Sequence, residues 1–198
     1  MGEAGALIVA HDNVRKRMST EQFNEFFRRA TPASPAGALP VVTFTDAVTF
    51  HLNGDEIHAF HIPPAHTDGD AFIVFRRANV VHMGDTFFTA RYPFIDLDSG
   101  GSVAGAIEAA NRVLALCDAQ TKIIPGHGAL ATRTDLERYR DMLMTARDRV
   151  AALVRDGKTV DQIVAAKPLA DLDGVWGAGF INPENFLRIL YRDLSQGN

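Results

Sequence analysis

A chain of 198 residues, 46% of them hydrophobic and 22% charged, can bury one sizeable core and has the composition of an ordinary globular protein. Its formal net charge of −4 offers no basic footprint for nucleic acid, and no run approaches the roughly 18 apolar residues that a membrane span needs. With one cysteine, Cys117, there is no intrachain disulfide, and Met1-Gly2-Glu3-Ala4 lacks the charged and apolar regions of a signal peptide, leaving the cytoplasm as the default location.

Strand-like Ala6-Leu7-Ile8-Val9-Ala10 begins almost at the first residue, as the interior of a longer chain would. His11-Asp12-Asn13 reads as a turn and helix start, and Arg15-Lys16-Arg17 as a solvated helix face. Ser19 with Gln22 three residues on has the form of a capping box, which predicts a helix through Phe23, Phe26 and Phe27 with those aromatics in the core. Pro32 and Pro35 then break the chain into a loop.

From residue 41 to 85 the pattern becomes β. Val48, Phe50 and Leu52 alternate with Thr49 and His51, the period of a half-buried strand. Asn53-Gly54 signals a hairpin into a strand over 56–62, which Pro63-Pro64 ends. Phe72-Ile73-Val74-Phe75 reads as a strand buried on both faces, and Val80 to Met83 as another that ends at Gly84-Asp85.

Beyond Gly101, helix and strand alternate. Ser102 is placed to cap a helix carrying Ile107, Val113, Leu114 and Leu116, where Cys117 joins the apolar residues as a small hydrophobe. A short strand, Thr121 to Ile124, leads to Pro125-Gly126-His127-Gly128. Thr134 starts a long helix closed by Asp156-Gly157, Thr159 caps a short one over 160–166, and Pro183 opens a last one. A β-meander followed by helix, strand and helix predicts an α/β sandwich.

Three predicted strands thus deliver His66, Asp85 and His127 at their ends, each beside or near a glycine. Imidazole and carboxylate are common ligands of a borderline metal such as zinc, and glycine lets the backbone approach closely. Asp70 is expected to stabilise its turn and Asp68 to be solvated. His82 and His11 are expected to be structural, and His51, His58 and His61 to be ordinary strand residues.

Taken together, His66-Thr67-Asp68-Gly69-Asp70, Gly84-Asp85-Thr86-Phe87-Phe88 and Pro125-Gly126-His127-Gly128 resemble the later metal motifs of the metallo-β-lactamase superfamily, in order as well as in letters. The resemblance implies an αββα sandwich, incomplete in its N-terminal half, forming one domain over 1–198 with 157–198 as a helical extension. It implies His66 as a ligand of a first metal, Asp85 as a bridging carboxylate and His127 as a ligand of a second. It implies hydrolysis by metal-bound water of an ester, thioester, lactone, lactam or phosphodiester. Aspartate at the bridging position is more like the glyoxalase II, lactonase and phosphodiesterase branches than class B lactamases, which carry Cys or Ser there.

The family's His-x-His-x-Asp-His motif does not occur in this chain. His58-Ala59-Phe60-His61 is the nearest imitation, and strand alternation sends its two histidines to opposite faces. The chain is therefore expected to correspond to the last two-thirds or so of such a protein, as a natural short form, a misplaced start or a deliberately cut fragment. With two metals each keeping few ligands, a single zinc held by His66, Asp85 and His127 is the expected cofactor. A weakly active hydrolase of a small-molecule substrate is one expectation. The other is a non-catalytic homodimer, because a missing half would uncover sheet edge and apolar surface.

Overall fold

The computed structural model describes residues 2–196, so the last two positions of the expected 157–198 extension lie outside it. Strand β1 (Val9–His11) leads into helix α1 (Asp12–Met18), followed by a hairpin of β2 (Gln22–Asn24) and β3 (Arg29–Thr31), and then by β4 (Val42–Phe44). Strands β5 (Ala47–Leu52), β6 (Asp55–His61), β7 (Ala71–Phe75) and β8 (Val80–Phe88) form a meander. Helix α2 (Val103–Leu116) connects to β9 (Lys122–His127), and α3 (Arg133–Arg155), α4 (Val160–Ala166), α5 (Ala170–Trp176) and α6 (Pro183–Gln196) follow.

One mixed five-stranded sheet, in the order β5-β6-β7-β8-β9, organises the molecule. Neighbours are antiparallel through β8, where the links are short enough for reversal, and β8 and β9 are parallel because α2 supplies the crossover. Separately, β1 pairs with β4 in parallel. Asn53 and Gly54 both take positive φ, the backbone that a tight two-residue hairpin requires. Ser102 caps α2 by accepting from the Gly105 amide, and Thr132 with Asp135 and Thr159 with Gln162 form reciprocal capping boxes on α3 and α4.

The core lies between the sheet and the helices. Phe72, Val81 and Phe87 from the strands meet Val113 of α2, Tyr139 and Leu143 of α3, and Phe186 and Leu190 of α6 in one buried cluster. Full burial of each such side chain stabilises by about 1.5–3 kcal/mol, so these residues hold the strand ends in place. Among the described residues no helix is long and apolar enough to cross a membrane.

Several expectations need correction. The first strand is shorter than Ala6–Ala10 and begins at Val9. No helix runs from Ser19 through Phe27: Ser19 instead ends α1, its hydroxyl donating to the Arg15 carbonyl, and is not available to start another. Asn24 bonds to the Phe27 amide and to Asp96, local bonds that favour the β2–β3 hairpin over helix. As a result Phe23 and Phe27 are exposed rather than in the core. Only Phe72 of the β7 run is fully buried, with Val74 packed beside it, while Ile73 and Phe75 on the opposite face remain half-exposed. Strand β8 does not stop at Asp85 but continues to Phe88 through an irregularity in its pairing with β9. Helix α5 is unforeseen, and its start carries no side-chain cap.

Candidate active site

Strands β8 and β9 bring two of the expected site residues together. The β8–β9 register shifts between His82 and Gly84 and again before Phe88, so the chain around Asp85 bulges out opposite Gly126. Gly126 is required there: a Cβ would stand 2.0 Å from Asp85 Oδ1 and 2.7 Å from the Gly84 carbonyl oxygen. His127 ends β9, and its ring stacks on Phe88 with centroids 5.1 Å apart. Its Nε2 lies 3.4 Å from Asp85 Oδ1.

His66 arrives from the loop after β6. Asp70 builds that loop, accepting from the His66 and Thr67 amides at 2.7 and 3.0 Å and from the Thr67 hydroxyl at 2.7 Å. This matches the turn-stabilising role read for Asp70. Asp68 is not solvated as expected: Arg17 grips it with two bonds of 2.8 and 2.7 Å, tying the loop to α1. That pairing also takes Arg17 out of the solvated face, and it holds the Asp68 carboxyl below its usual range. The His66 Nδ1 lies 2.9 Å from the Phe94 carbonyl oxygen. A carbonyl only accepts, so Nδ1 carries the hydrogen and Nε2 is the ring nitrogen left to face the site. That Nε2 is 3.8 Å from Asp85 Oδ2.

The three residues therefore face one cavity of about 260 Å³, walled by Phe94 and Phe180 and lined also by Arg91. Each Asp85 oxygen opposes a different histidine. Donor chemistry suits zinc, but in pairs: no group of three His, Cys, Asp or Glu among the described residues is arranged to hold a metal. Beneath the site, Tyr139 is fully buried and its hydroxyl has no partner among the described residues. Burial, and then the Asp85 charge, push its phenol well up.

The remaining histidines have other partners. His58 contacts the Thr49 hydroxyl, while His61 stacks on His11, so the two histidines of the H-x-x-H string do not converge. His82 Nδ1 accepts from the Gly84 amide. His11 caps α1 from a buried position, as a structural residue would, but His61 is more than an ordinary strand residue. Arg91 and the exposed Phe180 lay outside the sequence reading, which had no motif to mark them. Cys117 follows the last turn of α2, buried, and burial pushes its thiol up.

No curated protein sequence matches the chain. Among solved structures it is similar to the BLEG-1 B3 metallo-beta-lactamase, with a TM-score of 0.58 and 21% identity over 70% of this chain and 66% of that one. A double mutant of the sec-alkyl sulfatase PisA1 superposes with a TM-score of 0.65 and 17% identity, covering 96% of this chain and 37% of that one. The stereoselective inverting sec-alkylsulfatase Pisa1 from Pseudomonas sp. gives 0.59 and 19%, covering 90% and 32%. The chain thus spans less than two thirds of each of these proteins, and at such identities the likeness concerns the fold. The sequence model of the metallo-beta-lactamase superfamily matches residues 2–130, a stretch that contains His66, Asp85 and His127. Family model, mixed sheet and strand-end site agree, and the chain belongs to the metallo-beta-lactamase superfamily.

Proposed function

We propose that the chain is a zinc-dependent hydrolase in which His66, Asp85 and His127 are metal donors. The observation that carries this reading is the division of Asp85, with Oδ2 facing His66 Nε2 and Oδ1 facing His127 Nε2. Such a carboxylate suits two adjacent metal positions that share it, each completed by donors beyond these three residues. A single ion held by all three is the simpler form of the site, and it requires the histidines to close further around Asp85. Zinc, when bound, supplies Lewis acidity for the attack of water on an ester, thioester, lactone, lactam or phosphodiester of a small molecule. The protein's own part is to orient: the Phe94 carbonyl fixes the His66 ring, Phe88 fixes the His127 ring, and Gly126 leaves room for the Asp85 carboxylate. Partial coordination points to weak activity.

Metal analysis of the purified protein, with Asp85→Ala and His127→Ala as controls, tests the reading. Zinc retained by the parent chain and lost in both variants is the expected result; a parent chain without zinc at neutral pH overturns it.

A second reading is a non-catalytic chain that pairs with another copy of itself. It is favoured by Leu7, Val41 and Val42, apolar residues that stand exposed in and beside the small β1–β4 pair. Light scattering that finds a stable monomer excludes it.

A further inference from the structure

Arg91 is a cation set into the wall of the candidate site. It lines the same cavity as His66, Asp85 and His127. Its aliphatic stem is clasped by the loop before α6, where a Cβ at Gly179 would come within 2.8 Å of Arg91 Cβ. Nε is buried and has no hydrogen-bond partner, and among the described residues no carboxylate pairs with the guanidinium. What sets Arg91 apart from other arginines without a carboxylate is this buried, unpartnered Nε, whereas Arg17, Arg149, Arg188 and Arg192 hold carboxylates. A guanidinium presents a fork of donors that matches two oxygens of a carboxylate, sulfate or phosphate. A buried N–H without a partner costs free energy that a ligand oxygen would recover.

The apolar part of the site runs the other way. Phe180 is 75% exposed, although it lines the cavity. Phe27 of the β2–β3 hairpin contacts both Phe180 and Phe94, with centroids 5.9 and 5.0 Å apart. Beyond that aromatic wall lies a second depression of about 590 Å³, which shares Phe94 and Phe180 with the first. Its acidic residues are already engaged, Asp96 by Asn24 and Asp98 by Arg192. Exposed aromatics that connect two hollows form a surface for an apolar ligand.

We propose that Arg91 is the anion anchor of this site, binding the oxyanion group of a substrate whose apolar body lies along Phe94, Phe180 and Phe27. The proposal rests on the hydrolase reading, since it names the class of molecule placed before Asp85: an organic oxyanion with an aromatic or aliphatic body. Asp85 is the acidic group facing the same cavity, so without zinc the anion must be held by Arg91 against that charge.

Isothermal titration with 4-phenylbutyrate and its neutral isostere 4-phenylbutyramide tests this, on the full chain without zinc and again with zinc added. The carboxylate is expected to bind about ten- to a hundredfold more tightly than the amide, the range of a charge-assisted bidentate contact. Arg91→Met should remove that preference, and Arg91→Lys, which keeps the charge and stem, should retain part of it. Phe180→Ala should weaken both probes by a similar factor. Equal binding of the two probes, binding of neither, or a preference that survives Arg91→Met in folded protein overturns the proposal. If Arg91→Met does not fold, a reduced preference in Arg91→Lys together with unchanged melting supports the guanidinium as the anchor, and an undiminished preference there overturns the proposal. Because the first titration uses no metal, a chain that never binds zinc defeats the hydrolase reading while the Arg91 preference is still measured.

Discussion

The rings of His11 and His61 lie face to face, with centroids 3.8 Å apart and planes inclined by 13°. His11 Nδ1 accepts the Asn13 amide, and His61 Nδ1 donates to the Asp70 carbonyl, so the pair joins the start of α1 to the end of the His66 loop. Burial, and then the neighbouring His61, hold the His11 pKa below its ordinary 6.5. The unfolded chain therefore binds more protons in this range than the folded one. The resulting stability is fully present above pH 6.5 and is lost as pH falls through the folded value. Melting temperatures between pH 5 and 8 should fall on the acid side, and His11→Gln should flatten that slope. An unaltered slope in the variant would rule out His11 as its source.

Asp68 titrates in a lower window. Its bonds to Arg17 depress its pKa below the usual 3.8, so the stability it adds is present above that value and is lost as pH drops through the folded pKa. Asp68→Asn should cost about 1 kcal/mol at neutral pH, and the cycle with Arg17→Met should show a coupling of similar size. Urea titrations of the four proteins measure it; additive losses would mean that the pair is not coupled.

Removal of the Asp70 carboxylate leaves the His66 and Thr67 amides without their acceptor. Asp70→Ala is expected to cost about 1–3 kcal/mol and to weaken zinc binding by about tenfold, because the loop that presents His66 loosens. Asp70→Asn, which keeps one oxygen, should fall between. Denaturant midpoints and zinc titrations together separate the two effects.

Gly126→Ala is a steric test of the centre itself. The new methyl would overlap Asp85 Oδ1 and the Gly84 backbone, forcing one of them to move. Destabilisation of about 1–3 kcal/mol is expected, with zinc binding lost while the rest of the sheet persists. A variant that binds zinc like its parent would show that Asp85 is not confined by this strand.

The parts of the molecule legible in its sequence are those governed by local chemistry. Asn53-Gly54, the caps at Ser102 and Thr159, and the alternation of Val48 and Phe50 with Thr49 and His51 each specify a shape over a few residues and occur as expected, while Leu52, expected on the same half-buried face, is exposed beside the hairpin turn. Ser19 and Gln22 were misleading because a hydroxyl that can cap a helix start can equally bond back to a carbonyl at a helix end. The fate of Phe23 and Phe27 depended on Asp96 and Phe94, some seventy residues away, which no local pattern records. His66, Asp85 and His127 could be named from their motifs, but the division of Asp85 between two histidines came from a shift in strand register. Arg91 escaped notice because what marks it is the lack of a partner, a property visible only once every neighbour is placed.

Asp85 and His127 stand on adjacent strands of one ladder, whereas His66 is held by Asp70 and by the ion pair that fastens its loop to α1. The site is thus assembled from two mechanically separate supports. Local opening at α1 would shift His66 against a stationary Asp85–His127 pair, and amide exchange should find the loop opening at lower free energy than β8 and β9. The distance across the centre then becomes adjustable from the outside, through Arg17 and Asp68, with no change to the sheet that carries Asp85 and His127.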